Sequence, residues 1–293
     1  IYKIDKTLIE GLDVLDTNIR MLDQSRIGSI LTGDKEALEN GQNVYGMIIQ
    51  NTNPLIVAPE SSLVRKGFSR EDLFVCVHEQ FMTETAKYAD IILPATTFVE
   101  HDDIYIAGGH QHITFGPKLI NPIGEAKSNH YVLQELAKRL GAKHKGFEMT
   151  EREIIDWTLK SSNHGSLINI EKNGWKDLQP DFNSSHFING FGHADKKFHF
   201  KAKWNEIGPY YKDMPEYPDY ADNIEHTTKN FPFRLVTAPA HNYLNSSFTE
   251  TSSSQKKEIK PKVKMHPIDI TNLNLCENDI VVLGNKRGEV CIH

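Results

Sequence analysis

The chain has 293 residues, of which 39% are hydrophobic and 25% charged, with a formal net charge of −6. That is enough for two modest domains with their own cores, in the composition of an ordinary globular protein. The acidic balance argues against a nucleic-acid binder, and no apolar run approaches a membrane span.

Residues 1–43 are polar, with apolar positions at Ile19, Leu22, Ile27 and Leu31 that allow one or two short helices in a connecting segment. "VYGMIIQN" (Val44–Asn51) is a compact apolar run with the length of a buried strand. Pro54 stops it, and a helix is expected around Ser61–Gly67. "LFVCVHE" (Leu73–Glu79) reads as a second strand, Thr83–Tyr88 as a helix, and "DIILP" (Asp90–Pro94) as a third strand. Strands alternating with short helices predict parallel packing. Beyond a bend at Gly108–Gly109, helical spacing marks Asn129–Leu140, with Gly141 as its cap. Thr150 and Glu153 form a capping box opening another helix.

From 161 to 230 Asn, His, Asp, aromatics and prolines dominate. This predicts a linker, with a β-ribbon in "KKFHFKAKW" (Lys196–Trp204). From Phe231 order returns: "FRLVTAPA" is strand-like, and "DIVVLGNKRGEVCIH" predicts a hairpin turning at Asn285–Gly288. The expected fold is thus α/β. A parallel sheet with flanking helices begins at Val44, and an unfinished β-rich domain begins at Phe231. Since the chain opens at Ile1 and stops in a strand-like run, it reads as the internal or processed part of something longer. Cys76, Cys276 and Cys291 form no C-x-x-C pair; Cys76 and Cys291, in apolar runs, are expected to be buried free thiols. That suits a reducing, cytoplasmic setting.

Polar residues crowd the ends of the three parallel strands: Asn51, Thr52 and Asn53; then His78, Glu79, Gln80 and Thr83; then Thr96, Thr97, Glu100, His101, Asp102 and Asp103. In an open α/β sheet these loops lie at the carboxyl edge, where ligands bind. No G-x-G-x-x-G or P-loop follows the first strand, which disfavours an ordinary NAD or ATP site. Glu79 could accept two hydrogen bonds from the flat N–H edge of a guanine, and Thr83 could add a hydroxyl. Thr83 could equally be a helix cap. A metal site built from Glu100–Asp103 with His110 and His112 is the competing chemistry, as in a metallohydrolase. The basic run Lys256–Lys264 is either a solvated loop or a neighbour of a pyrophosphate.

"NTNP", "FMTETAKYADIILPATTFVEHDD", "RLVTAPAHNYLNSSF" and "MHPIDITNLNLCENDIVVLGNKRGEV" together resemble the molybdopterin oxidoreductases of the DMSO reductase superfamily. The resemblance implies bis-molybdopterin guanine dinucleotide with molybdenum or tungsten as cofactor. Residues 44–160 would be part of the Rossmann-like dinucleotide-binding domain, a parallel sheet with flanking helices, 161–230 the linker, and 231–293 the start of an incomplete C-terminal β-barrel over the pterins. It also implies cofactor-facing roles for Asn51, Asn53, Glu79, Thr83, Thr237, His241, Asn242, Asn245 and Ser246. Asn274 and Asn278 stand where glycines are usual in the barrel segment, and Asn tolerates the left-handed backbone needed there. His101-Asp102-Asp103 stands where many relatives have a glycine, which leaves the substrate open. The family's Cys cluster for a 4Fe-4S centre and its metal-ligating residue are not in the sequence. They are expected in N-terminal domains of the same chain, and an electron-transfer subunit is an expected partner. This portion alone is expected to hold cofactor without doing chemistry. The alternative is a non-catalytic nucleotide-binding or structural subunit with the same fold.

Overall fold

The computed structural model describes residues 19–204, 214–220 and 225–293. By internal contacts the chain divides into two units: Ile19–Pro94 with His226–His293, and a second that includes Ala95–Glu225. The first unit begins with α1 (Ile27–Leu31), β1 (Gly46–Gln50), α2 (Pro54–Val57), α3 (Ser61–Phe68), β2 (Phe74–Glu79) and β3 (Ile91–Pro94). The three strands form one parallel sheet in the order β1-β2-β3, with Ile48 opposite Cys76 and Cys76 opposite Ile91.

Parallel strands need covered faces, so their sequences run almost continuously apolar. Here Ile49, Val75 and Val77 pack with Leu31, Leu55, Val64, Phe68, Leu73 and Ala86 in one core. Each such side chain contributes about 1.5–3 kcal/mol when fully buried. Two glycines let α1 and α3 approach: a Cβ on Gly28 would lie 2.9 Å from Leu63 Cβ, and one on Gly67 would collide with Leu31. Arg70 ties this layer down by donating to the carbonyls of Leu31 and Val44 at 2.9 and 3.0 Å and pairing with Asp72.

The second unit holds β4 (Asp103–Ala107), β5 (His110–Gly116), α4 (Asn129–Leu140), α5 (Glu151–Ser161), α6 (Leu167–Asn173), β6 (Trp175–Asp177) and α7 (Phe182–Ser185). Its sheet is antiparallel, in the order β4-β5-β6. Ile113, Ile155, Leu159, Leu167 and Ile170 form its core, with Ile104 and Phe115 packed against it. Ser128 caps α4, and Gly141 ends it at φ +71°. The capping box of Thr150 and Glu153 is present on α5.

The rest of the first unit carries α8 (Ser252–Glu258), α9 (Pro267–Asn272), β7 (Val281–Asn285) and β8 (Gly288–Ile292). β7 and β8 pair as the expected hairpin, and Asn285 Oδ1 accepts from Arg287 N at 2.8 Å in the turn. Among the described residues this segment forms no closed barrel. Asn274 and Asn278 do take left-handed backbone, at φ +52° and +72°.

Several local expectations need correction. Thr83–Tyr88 is only a 3-10 turn over Ala86–Tyr88, because Ala86 must tuck under the sheet before Asp90 and Ile91 rejoin it. Lys196–Trp204 is not a strand: its rings pack against the preceding segment, Phe198 edge-on to Phe191 at 5.3 Å and His199 stacked on His193 at 3.9 Å. Phe233–Ala240 also forms no strand, since an extended run needs a neighbour to take its backbone groups. Cys76 is buried as expected, but Cys291 is exposed on β8; all three cysteines are free. The connecting segment's residues 1–18 lie outside the described residues.

Candidate functional site

In the first unit a cleft of about 370 Å³ lies among Asn53, Ile56, Met82, Thr83, Asn245 and Gln255, with Glu84, Lys87, Ser246, Thr249 and Glu250 completing its walls. Three pieces of chain build it. Asn53 stands at the β1–α2 junction, Met82–Lys87 lie in the short crossover from β2 to β3, Asn245–Glu250 come from the turn that leads into α8, and Gln255 from α8 itself. The turn closes through paired backbone bonds between Leu244 and Ser247, with Asn245 at φ +52°. Asn is one of the few residues that takes this backbone readily.

The two strand-end loops are pinned together by a buried network. Asn53 Oδ1 accepts from Thr85 N at 3.2 Å and from Thr85 Oγ1 at 2.7 Å. Thr85 Oγ1 in turn accepts from Leu55 N at 3.1 Å. Thr85 is fully buried and Asn53 nearly so, and buried polar groups need such partners. Thr83 Oγ1 accepts from Ala86 N at 3.1 Å, so it caps the 3-10 turn and lines the cleft at once. Glu84 pairs with Lys87, which holds the Glu84 carboxyl below its usual range.

Of the residues expected at a ligand, Asn53, Thr83, Asn245 and Ser246 line this cleft, and Asn51, Glu79, Thr237, His241 and Asn242 do not. Asn51 is exposed at φ +54° at the end of β1. Glu79 closes β2, with Oε1 accepting from Gln80 N at 2.7 Å, so one carboxylate oxygen already has a partner. Thr237 and His241 are exposed. Asn242 donates from both its side chain and its backbone to Glu258 Oε1, which lowers the Glu258 pKa. Lysines 256 and 257 lie in the last turn of α8, outside the cleft lining. Sequence reasoning missed Thr85, Lys87, Thr249 and Gln255. Thr85 was the traceable one: a polar residue directly before the apolar Ala86 has to be satisfied if that turn is buried.

The third strand-end loop belongs to the other unit, and its polar groups are engaged there. Glu100 is buried and accepts from the backbone N–H groups of Thr97 and Ile123, both at 2.7 Å; those donors hold its carboxyl below the ordinary value. His101 Nδ1 meets Thr96 Oγ1 at 2.8 Å. Asp102 accepts from Lys118 N at 2.9 Å and faces Arg152 at 3.6 Å. His110 and His112 share a face of β5 with ring centroids 5.3 Å apart. No group of three or more His, Cys, Asp or Glu among the described residues is arranged to hold a metal ion. The metallohydrolase alternative therefore has no site among them. A second hollow in this unit, about 390 Å³ beside Asp102, His130, Gln134 and Arg152, is walled by side chains bonded to one another and to nearby backbone. No helix among the described residues is long and apolar enough to cross a membrane.

Residues 26–139 match the family model for molybdopterin oxidoreductase, and residues 233–292 match that for the molydopterin dinucleotide binding domain. Together the two models cover more than half of the chain. The probable oxidoreductase YoaE of Bacillus subtilis is 30% identical over 92% of this chain and 38% of its own length. The trimethylamine-N-oxide reductase of Haemophilus influenzae is 27% identical over 81% of this chain and 32% of its own. The assimilatory nitrate reductase catalytic subunit of Bacillus subtilis is 26% identical over 86% and 36%. The chain thus spans 32–38% of the length of these relatives. Acetylene hydratase from Pelobacter acetylenicus has a similar structure, with a TM-score of 0.73 at 19% identity over 93% of this chain and 37% of that one. That likeness is one of fold. Both family models fall in the order of the sequence motifs, and the chain belongs to the molybdopterin oxidoreductases of the DMSO reductase superfamily.

Proposed function

We propose that this chain is the cofactor-holding portion of an enzyme that carries bis-molybdopterin guanine dinucleotide with molybdenum or tungsten. The whole enzyme would perform two-electron redox or oxygen-atom transfer on a small substrate. The observation that carries this reading is the cleft in which Asn53 and Thr83, from the part matching the oxidoreductase model, meet Asn245 and Ser246, from the part matching the dinucleotide-binding model. Its amides and hydroxyls fit a polar nucleotide, and the apolar surfaces of Ile56 and Met82 fit a flat ring or sugar face. When bound, the metal centre supplies the redox chemistry. This chain's residues would supply binding and orientation. Asn53 and Thr83 would hold the ligand from the strand ends, and Asn245 and Ser246 from the facing turn. The electron partner belongs to the same proposal and would dock on the whole enzyme, whose N-terminal domains are expected to hold a 4Fe-4S centre.

The test is metal and released-nucleotide analysis of the protein made from its complete reading frame in a cofactor-competent host. Molybdenum or tungsten is expected, with guanine nucleotide in about twofold excess over metal. Neither metal nor guanine would leave the non-catalytic scaffold as the function.

A further inference from the structure

The stretch whose composition predicts a linker is ordered, yet it has little to pack on. From Glu171 to Trp204 no residue is buried, although the stretch holds five phenylalanines and two tryptophans. Its backbone is nevertheless held. Phe191 N donates to Lys196 O at 3.0 Å and Lys196 N to His193 O at 2.9 Å, which closes 191–196 into a turn. Gly190, at φ +87°, lets the two arms meet: a Cβ there would lie 2.7 Å from Lys196 O. His199 Nε2 meets both carboxylate oxygens of Asp195 at 3.0 Å, and its ring stacks on His193.

These bonds line the phenylalanines up. Phe187 stacks on Phe191 at 4.6 Å, Phe191 meets Phe198 edge-on at 5.3 Å, and Phe198 meets Phe200 edge-on at 4.9 Å. The result is one continuous ladder of rings. Phe187, Phe198 and Phe200 are 52%, 54% and 70% exposed, and Ile188 is 62% exposed. An aromatic side chain covers about 150–250 Å² when buried, so these three rings leave roughly 250–450 Å² open, comparable to the largest apolar patch on a typical monomer.

An ordered segment has to offset its lost chain entropy with buried surface, and this one has no buried residue of its own. Transient interfaces are about as polar as the rest of a protein surface, whereas permanent ones resemble a core cut in half. The ladder is of the second kind, since all four of its rings are phenylalanines in mutual contact. This chain spans 32–38% of the length of its relatives, so most of such a polypeptide lies outside it. We infer that the Phe187–Phe191–Phe198–Phe200 ladder is an interface within the full-length protein, and that its occupant is an apolar surface of the N-terminal domains of the same polypeptide. A covalently linked occupant is present in every folded molecule, as a ladder this apolar requires. The inference rests on the reading above that such N-terminal domains exist.

The test uses the protein made from its complete reading frame, with molybdenum, tungsten and guanine nucleotide measured on the same preparation. Hydroxyl-radical footprinting of the wild type needs no substitution. Phe198 and Phe200 should be oxidised as slowly as the buried Phe68, at a rate independent of protein concentration. Oxidation as fast as in the urea-unfolded protein would overturn the inference. With p-benzoylphenylalanine in place of Phe200, irradiation should join that position to a peptide upstream of Ile1 in the same polypeptide. If that protein does not fold, the same residue in place of Ile188, next to Phe187 in the chain, serves instead. A crosslink between two copies, to a separate protein, or to any residue from Ile1 onward would overturn the inference. An upstream crosslink in a preparation without metal or guanine would support the interface and overturn only the cofactor reading.

Discussion

Glu100 shows how a residue suited to chemistry can be taken up by structure. Its carboxylate sits at 4% exposure and accepts two backbone N–H bonds and the Thr97 hydroxyl. Those donors lower its pKa from the ordinary 4.5. A carboxyl lowered by folding stabilises the folded state fully above that ordinary value, and the contribution disappears as pH falls through the lower folded value. Glu100→Gln should therefore lower the melting temperature near neutral pH and weaken its fall on the acid side. Thermal scans across the acid range would show this. An unchanged acid limb would assign the dependence to other lowered carboxylates, such as Glu153 or Asp156. Asn53 differs from Glu100 in one respect: after its internal bonds are made, a polar atom is left over at a cleft.

At the scale of elements, helix ends were the most legible features, because their chemistry is local. Thr150 accepts from Glu153 N while the Glu153 side chain accepts from Thr150 N, as the four-residue pattern alone predicts. Thr150→Ala should cost about 1 kcal/mol. Gly141 ends α4 at φ +71°, where a side chain is strained, so Gly141→Ala should cost about 1 kcal/mol as well. Urea unfolding of the single and double variants should show near-additive losses, because the two caps share no hydrogen bond. A strongly non-additive pair would mean that the ends of α4 and the start of α5 are coupled. The strand-like runs at Lys196–Trp204 and Phe233–Ala240 show the reverse case. A strand is stabilised by a neighbour, and alternation does not say whether one is there.

Across the whole molecule, each unit carries its own core. Leu55 is 1% exposed beneath β1–β3, and Leu55→Ala should destabilise its unit by about 2–5 kcal/mol. Hydrogen exchange should then lose protection in β1, β2 and β3 while β4–β6 keep theirs. Loss of protection in both sheets would show that the units unfold together. The composition boundary at 160 does not coincide with the contact division at Pro94–Ala95. By itself the sequence determined the parallel strands, the capped helices, the closing hairpin and the family resemblance, all of which rest on local periodicity, turn residues and motif order. Only the tertiary structure decided which polar residues share a cleft. Asn53 and Asn245 are far apart in sequence yet both line it, while Glu79, four residues before Thr83, does not. It also decided which end of the Asn53 amide is left at the cleft, because its oxygen satisfies the buried N–H and O–H of Thr85.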